Sequence, residues 1–264
     1  MSLIESSQSF SGKMIKNIIY IYKDDGVSRE SLLQIILTLK QYCKKSYVIK
    51  TINANAIKNA QWLKNAILFI MPGGADLLYA KKLNGAGNAK IKQYVKRGGS
   101  YLGICAGSYY ASSYVEFDKQ GDLAVLGDRE LKFFDGKVIG PILASYSYDT
   151  QSGSRAAKIS TAFPDLSETF VFYNGGGYFE NAESHSNIQI IASYQNKLPA
   201  IIYIKYGKGQ VILSGVHFEY NADLLNYKDQ YLQNVIPDLI KSTTSRNKLI
   251  IEIFKILNIT CPTA

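Results

Sequence analysis

Histidine is nearly absent from this chain of 264 residues, which carries two, His185 and His217. That scarcity argues against a histidine-built metal centre, and no metal or other cofactor is expected. It also narrows the search for a catalytic base to two positions. Cysteine is almost as rare, with Cys43, Cys105 and Cys261. Three thiols cannot all pair, and their spacing fits neither a disulfide framework nor a zinc site, so free thiols in a cytoplasmic protein are expected. No run of about 18 apolar residues occurs, which argues against a helical membrane span. The opening MSLIESSQSFSG lacks the charged start and apolar centre of a signal peptide. Residues 1–14 are expected to be a loose tail on a single domain that runs to residue 264. Positive charge is abundant but unclustered: the net charge is +9, yet no run of adjacent basic residues exceeds two. Lysines scattered over solvated faces account for it, and nucleic acid is not expected as a partner because a footprint needs concentrated charge.

What is present is an alternation. NIIYIY, residues 17–22, is short, apolar and rich in β-branched and aromatic residues, hence a strand. Residues 28–43 follow as a helix, with Ser28 as cap and Leu32, Ile35, Ile36 and Leu39 at helical spacing. A strand at 46–51, a helix at 54–64, the strand beginning at Ala66, a helix at 88–97 and the strand SYLGI continue the pattern. Such repetition with buried apolar strands points to a parallel sheet covered on both faces. Beyond residue 120 the texture changes. Asp135-Gly136 reads as a hairpin turn, and strands are expected at 155–160, 168–173, 188–193, 200–206 and 210–214. Two helical segments close the chain, YLQNVIPDLI and NKLIIEIFKILNI, with Pro237 expected to kink or interrupt the first.

Gly103-Ile104-Cys105-Ala106-Gly107 has the form of a nucleophile elbow, in which a strand reverses sharply into a helix and exposes the central residue. A helix N-terminus there would favour the thiolate. A buried cysteine beside glycines fits the pentapeptide equally well. A thiolate needs a base and the base an orienting acid. His217 follows the apolar run QVILSG, at the strand edge where open parallel sheets collect their chemistry, and Glu219 can reach back to its ring. His185, in the polar stretch NAESHSN, reads as a surface loop residue. Pro72-Gly73-Gly74 ends the strand AILFIM, and the backbone N–H groups of Gly73, Gly74 and Ala106 would form an oxyanion hole.

PGG, then G-x-C-x-G, then H-x-E together resemble the class I glutamine amidotransferase superfamily. More narrowly, PGGADLLY, LNGAGNAKIKQYVKRGGSYLGICAGSYYAS, YNGGGYF and GKGQVILSGVHFEY are similar to the amidotransferase-like N-terminal domain of biotin–protein ligases, which also occurs as a stand-alone bacterial protein. The resemblance covers roughly residues 17–240. It implies a flavodoxin-like α/β domain, with extra antiparallel strands in the second half. It also implies a Cys105–His217–Glu219 triad in the roles of nucleophile, base and orienting acid. YNGGG resembles a family loop whose Asn174, Gly175 and Gly176 would approach a substrate. Relatives that use glutamine carry Gln where Tyr109 stands, so Tyr109 is expected to line a pocket for a bulkier or flatter molecule than glutamine. Related proteases have His directly after the cysteine, and Ala106 points away from them. The adenylating domain of complete ligases has a glycine- and arginine-rich loop, whereas the arginines here stand isolated, so biotin ligation is not expected. The leading expectation is an amide or acyl hydrolase or transferase acting through a thioester on a small-molecule substrate. The alternative is a non-catalytic module that keeps the elbow but recognises biotin, an adenylate or a protein partner.

Overall fold

A computed structural model describes residues 16–262; the tail expected at 1–14 lies outside the described residues. The first half alternates β1 (Ile18–Tyr22), α1 (Arg29–Tyr42), β2 (Val48–Ile52), α2 (Ala54–Lys58), β3 (Ala66–Met71), α3 (Asp76–Leu83), α4 (Ala86–Lys96), β4 (Ser100–Ile104) and α5 (Ala106–Tyr110). The second half is mostly strand: β5 (Ser112–Phe117), β6 (Val125–Asp128), β7 (Phe134–Gly140), β8 (Arg155–Phe163), β9 (Leu166–Tyr173), β10 (Tyr178–Phe179), β11 (Ile188–Tyr194), β12 (Pro199–Tyr206) and β13 (Gly209–Ser214). Helices α6 (Ile236–Lys241) and α7 (Thr243–Ile256) follow.

Nine strands form one sheet in the order β2-β1-β3-β4-β13-β12-β11-β8-β9. The run β2-β1-β3-β4-β13 is parallel, the flavodoxin-like order, and the rest is antiparallel. The fold is therefore α/β, as the alternation implied. Successive residues of a strand point to opposite faces, so each strand feeds two cores. Ile19, Ile21, Leu68, Ile70, Leu102 and Ile104 pack towards α1 and α7. Tyr22, Phe69, Met71 and Tyr101 pack on the other face with Trp62, Ile91 and Val95. Truncating such a buried aliphatic to Ala costs about 2–5 kcal/mol.

A second sheet, β10-β7-β5-β6, lies beyond this one in the chain's later half. Here the expected Asp135-Gly136 hairpin is corrected. Both residues lie inside β7, and the pairs Ser112–Phe134 and Tyr114–Lys137 show one extra residue on β7 between them. The turn signal marks a bulge. No returning strand precedes it, because Phe133 is drawn into the core against Tyr101 and Tyr206, at 5.0 and 4.9 Å between ring centroids. Pro237 begins α6 rather than kinking a longer helix, since the first turn tolerates a missing N–H. The helix expected at 54–64 breaks at Ala60, which takes a left-handed conformation before a short 3-10 turn.

Candidate functional site

Cys105 sits between β4 and α5 with φ 49° and ψ −109°, a strained conformation for a residue with a side chain. Its backbone N–H donates to the Ser214 carbonyl at 2.8 Å. The flanking glycines are required by close approach. A Cβ on Gly107 would stand 2.1 Å from the Met71 carbonyl oxygen, and one on Gly103 would stand 2.6 Å from that of Gly107. Cys105 thus stands at a sharp, crowded strand-to-helix turn. Helix α5 is only five residues long, so the helix-terminal field on the thiol is that of little more than one turn.

His217 follows β13 and is pinned to β9: its N–H donates to the Phe172 carbonyl at 2.8 Å. Its ring lies beside the stacked pair Phe172 and Tyr220, which are 4.4 Å apart, at 6.0 Å from the first and 4.7 Å from the second. Nδ1 and Glu219 Oε1 are 2.8 Å apart, and both residues are buried. Cys105 lines the same cavity as the ring. Burial pulls the imidazole towards its neutral form, but the Glu219 carboxylate and the nearby Cys105 thiol outweigh it, raising the pKa to about 10. The thiol also faces the Asn174 carbonyl, at 3.8 Å. Burial pushes the Cys43 thiol up to about 12, and Cys261 is raised by burial as well.

These groups open on a cavity of about 400 Å³, within the range of small-molecule sites. Gly73, Gly74, Ala106, Tyr109, Asn174 and Gly175 all line it with Cys105 and His217. Gly176 does not, and the expectation for it is corrected. A Cβ there would stand 1.7 Å from the Gly215 carbonyl oxygen, so this glycine serves close packing behind the loop. Gly73 is corrected too as an oxyanion donor, because its N–H is held by Ser31 Oγ at 2.9 Å. Gly74 differs. Its bridge to Val27 is closed by the neighbouring groups, Ser28 N–H to Gly73 and Ala75 N–H to Gly26, which leaves its own N–H outside the ladder. The N–H of Ala106, first in its helix, is likewise without an intrahelical acceptor. The Tyr109 hydroxyl donates to the Gly175 carbonyl at 3.1 Å, tying α5 to the glycine loop. Tyr110 is fully buried against Tyr79, and Tyr114 lies on β5 rather than on the helix after the elbow. His185 packs on Phe134 away from the cavity. Among the described residues no group of His, Cys, Asp and Glu is placed to hold a metal.

Sequence reading missed the device that aligns the parts. Ser31, Gln34 and Thr38 form a buried polar stripe on α1. Ser31 holds Gly73. Gln34 Oε1 accepts from Asn221 N–H at 2.9 Å, and Thr38 Oγ1 donates to the Glu219 carbonyl at 2.7 Å. One helix thus anchors both the Pro-Gly-Gly turn and the His-x-Glu segment. The signal was uncharged polar residues at i, i+3 and i+7 beside the apolar face. Also missed was the segment 146–151, whose Tyr146, Tyr148 and Gln151 close one side of the cavity.

Residues 17–264 match the family described as biotin-protein ligase, N terminal. The chain is 37% identical over 222 residues to a biotin–protein ligase of Schizosaccharomyces pombe, covering 80% of this chain and 35% of that ligase. It is 36% identical over 233 residues to an uncharacterized protein of Chlamydia muridarum, covering 85% of this chain and 89% of that protein. Among solved structures, a ThuA-like protein from Bacteroides uniformis superimposes with TM-score 0.52 at 10% identity, over 90% of this chain and 91% of that one. A cytoplasmic protein from Salmonella typhimurium does so with TM-score 0.51 at 13% identity, over 91% and 99%. At such identities these two likenesses bear on the fold alone. The chain belongs to the family of biotin–protein ligase N-terminal domains.

Proposed function

We propose that this protein is a cysteine-dependent amide or acyl hydrolase or transferase, with Cys105 as nucleophile, His217 as proton shuttle and Glu219 as the acid that orients it. The observation that carries the reading is that Cys105 and His217 line one cavity, with Glu219 Oε1 2.8 Å from the His217 Nδ1. His217 takes the proton of the thiol. Sγ then attacks the acyl carbon, and the developing oxyanion is met by the N–H groups of Gly74 and Ala106, each worth about 3–4 kcal/mol in comparable sites. The imidazolium gives its proton to the leaving nitrogen as the C–N bond breaks, leaving a thioester on Cys105. Water, or another acceptor, attacks the thioester with the neutral imidazole as base, and the thiol is restored. Free thiols fit a cytoplasmic setting.

The test is intact-mass analysis after incubation with a panel of amides and activated esters. A thioester adduct on Cys105, lost in Cys105→Ala and suppressed in His217→Ala, supports the reading. Turnover that persists in Cys105→Ala removes it.

A second reading, a non-catalytic module that recognises a ligand or protein partner and ligates no biotin, is favoured by the 35% share of the fission-yeast ligase that the chain matches. Saturable binding of biotin or its adenylate, with no acyl adduct, would select it.

A further inference from the structure

The cavity has a charge opposite to that of the chain. The net charge is +9, yet no lysine or arginine lines the cavity, whereas Glu30, Asp76, Asp149 and Asp229 do. Asp76 is held by the buried Arg129 guanidinium, Nε to Oδ2 at 2.6 Å, and the His217 imidazolium is matched by Glu219. Glu30, Asp149 and Asp229 have no ion-pair partner among the described residues. Glu30, at the start of α1, is half-buried and accepts a hydrogen bond from Gln151 Nε2 at 3.4 Å; burial raises its pKa, and the His217 charge opposes that rise. Six aromatic rings also line the cavity: Tyr109, Phe117, Tyr146, Tyr148, Phe172 and Tyr220. Rings attract cations through their negative faces and offer nothing comparable to a carboxylate. In a partly desolvated space, like charges are repelled far more strongly than in bulk water.

We propose that the molecule taken by this cavity is cationic: the acyl or amide group presented to Cys105 belongs to an ammonium- or guanidinium-bearing compound. The inference rests on the thiol chemistry proposed above and specifies its substrate class. A substrate recognised through a free carboxylate would find no lysine or arginine to meet it and three carboxylates to oppose it. The long-range field is not the source of selection, because a chain of net charge +9 draws anions to its surface; the cavity lining reverses that preference at the thiol.

Two methanethiosulfonates with the same reactive head separate the possibilities, one bearing a trimethylammonium group and the other a sulfonate. In each, Sγ attacks the sulfenyl sulfur, a disulfide forms, and methanesulfinate leaves with the bonding pair. Rates at Cys105, read by peptide mass and normalised to 2-mercaptoethanol, are expected to favour the cation by about tenfold or more. The Glu30→Gln/Asp229→Asn double variant should bring the ratio to within about threefold of one. Equal rates, faster labelling by the sulfonate, or a ratio untouched in the double variant would overturn the proposal. A ratio near one with labelling that still depends on His217 removes the charge inference and leaves the thiol chemistry standing. Labelling indifferent to His217→Ala removes the chemistry itself. If neither reagent reaches Cys105, calorimetry on Cys105→Ser decides: heat from agmatine and none from glutarate supports the cation, and absence of heat from agmatine overturns it.

Discussion

The two halves of the molecule contribute differently to one cavity. The parallel half, β1 to β4 with β13, delivers Cys105, the Pro-Gly-Gly turn and the His217–Glu219 segment at strand ends. Each sits where a rigid strand stops, and each is held by short backbone bonds. The later, antiparallel half delivers Asn174, Gly175, Phe172 and the segment 146–151 to the walls. On the proposed reading, the reacting groups come from the ladder, where positions are over-determined, while recognition comes from connecting segments that vary without disturbing the sheet.

The largest effect is expected where the halves are locked together. Arg129, just beyond β6, is paired with Asp76 at the start of α3 and is 4% exposed. Arg129→Met leaves a buried carboxylate unpaired and should cost about 3–5 kcal/mol in urea unfolding. Lys158→Met, which breaks an exposed pair with Glu168, should cost less than about 1 kcal/mol. Equal costs would mean that the halves do not depend on that buried contact.

Next comes the base. His217→Ala should slow iodoacetamide labelling of Cys105 by about 10²-fold or more at neutral pH, and His185→Ala should leave it unchanged. Equal losses from the two variants would break the assignment of chemistry to the parallel half.

A smaller effect concerns pH. The folded His217 pKa stands near 10 against an ordinary 6.5. The stabilisation from its protonated form is therefore complete below about 6.5 and is lost as pH rises towards 10. Urea midpoints measured at pH 7, 8.5 and 10 should fall more steeply for the native chain than for Glu219→Gln. Parallel curves would show that Glu219 does not hold the imidazolium.

Thr38→Val should cost about 1–2 kcal/mol by stranding the Glu219 carbonyl, and should slow Cys105 labelling severalfold while Thr38→Ser retains it. The smallest effect belongs to the walls. Tyr148→Ala should leave iodoacetamide labelling of Cys105 within about twofold, because a small neutral reagent needs the elbow and the base but not the recognition surface. A large loss would place Tyr148 with the reacting groups.

Much of the fold was legible because its signals are local. The strands from Ile18 to Ile104 are runs of β-branched and aromatic residues, and the cap at Ser28 is a contact three residues long. The crowded turn at Cys105 was legible for the same reason, since Gly103 and Gly107 answer clashes within their own turn and its neighbouring strand. Asp135-Gly136 misled because the same dipeptide serves a hairpin or a bulge, and the partner strand chooses between them. Gly73 misled because a free N–H is a property of the surroundings: its acceptor, Ser31 Oγ, is 42 residues away.

The amino-acid sequence by itself determined that strands alternate with helices, that one cysteine stands between closely spaced glycines, and that one histidine has a carboxylate two residues on. These depend on short-range sterics and spacing. Only the tertiary structure decided that Cys105 and His217, 112 positions apart in the numbering, line one cavity. It also decided that Gly74 rather than Gly73 has a donor to offer, and that a basic chain encloses an acidic, aromatic cavity. Distance and desolvation set those outcomes, and neither is written in any stretch shorter than the fold.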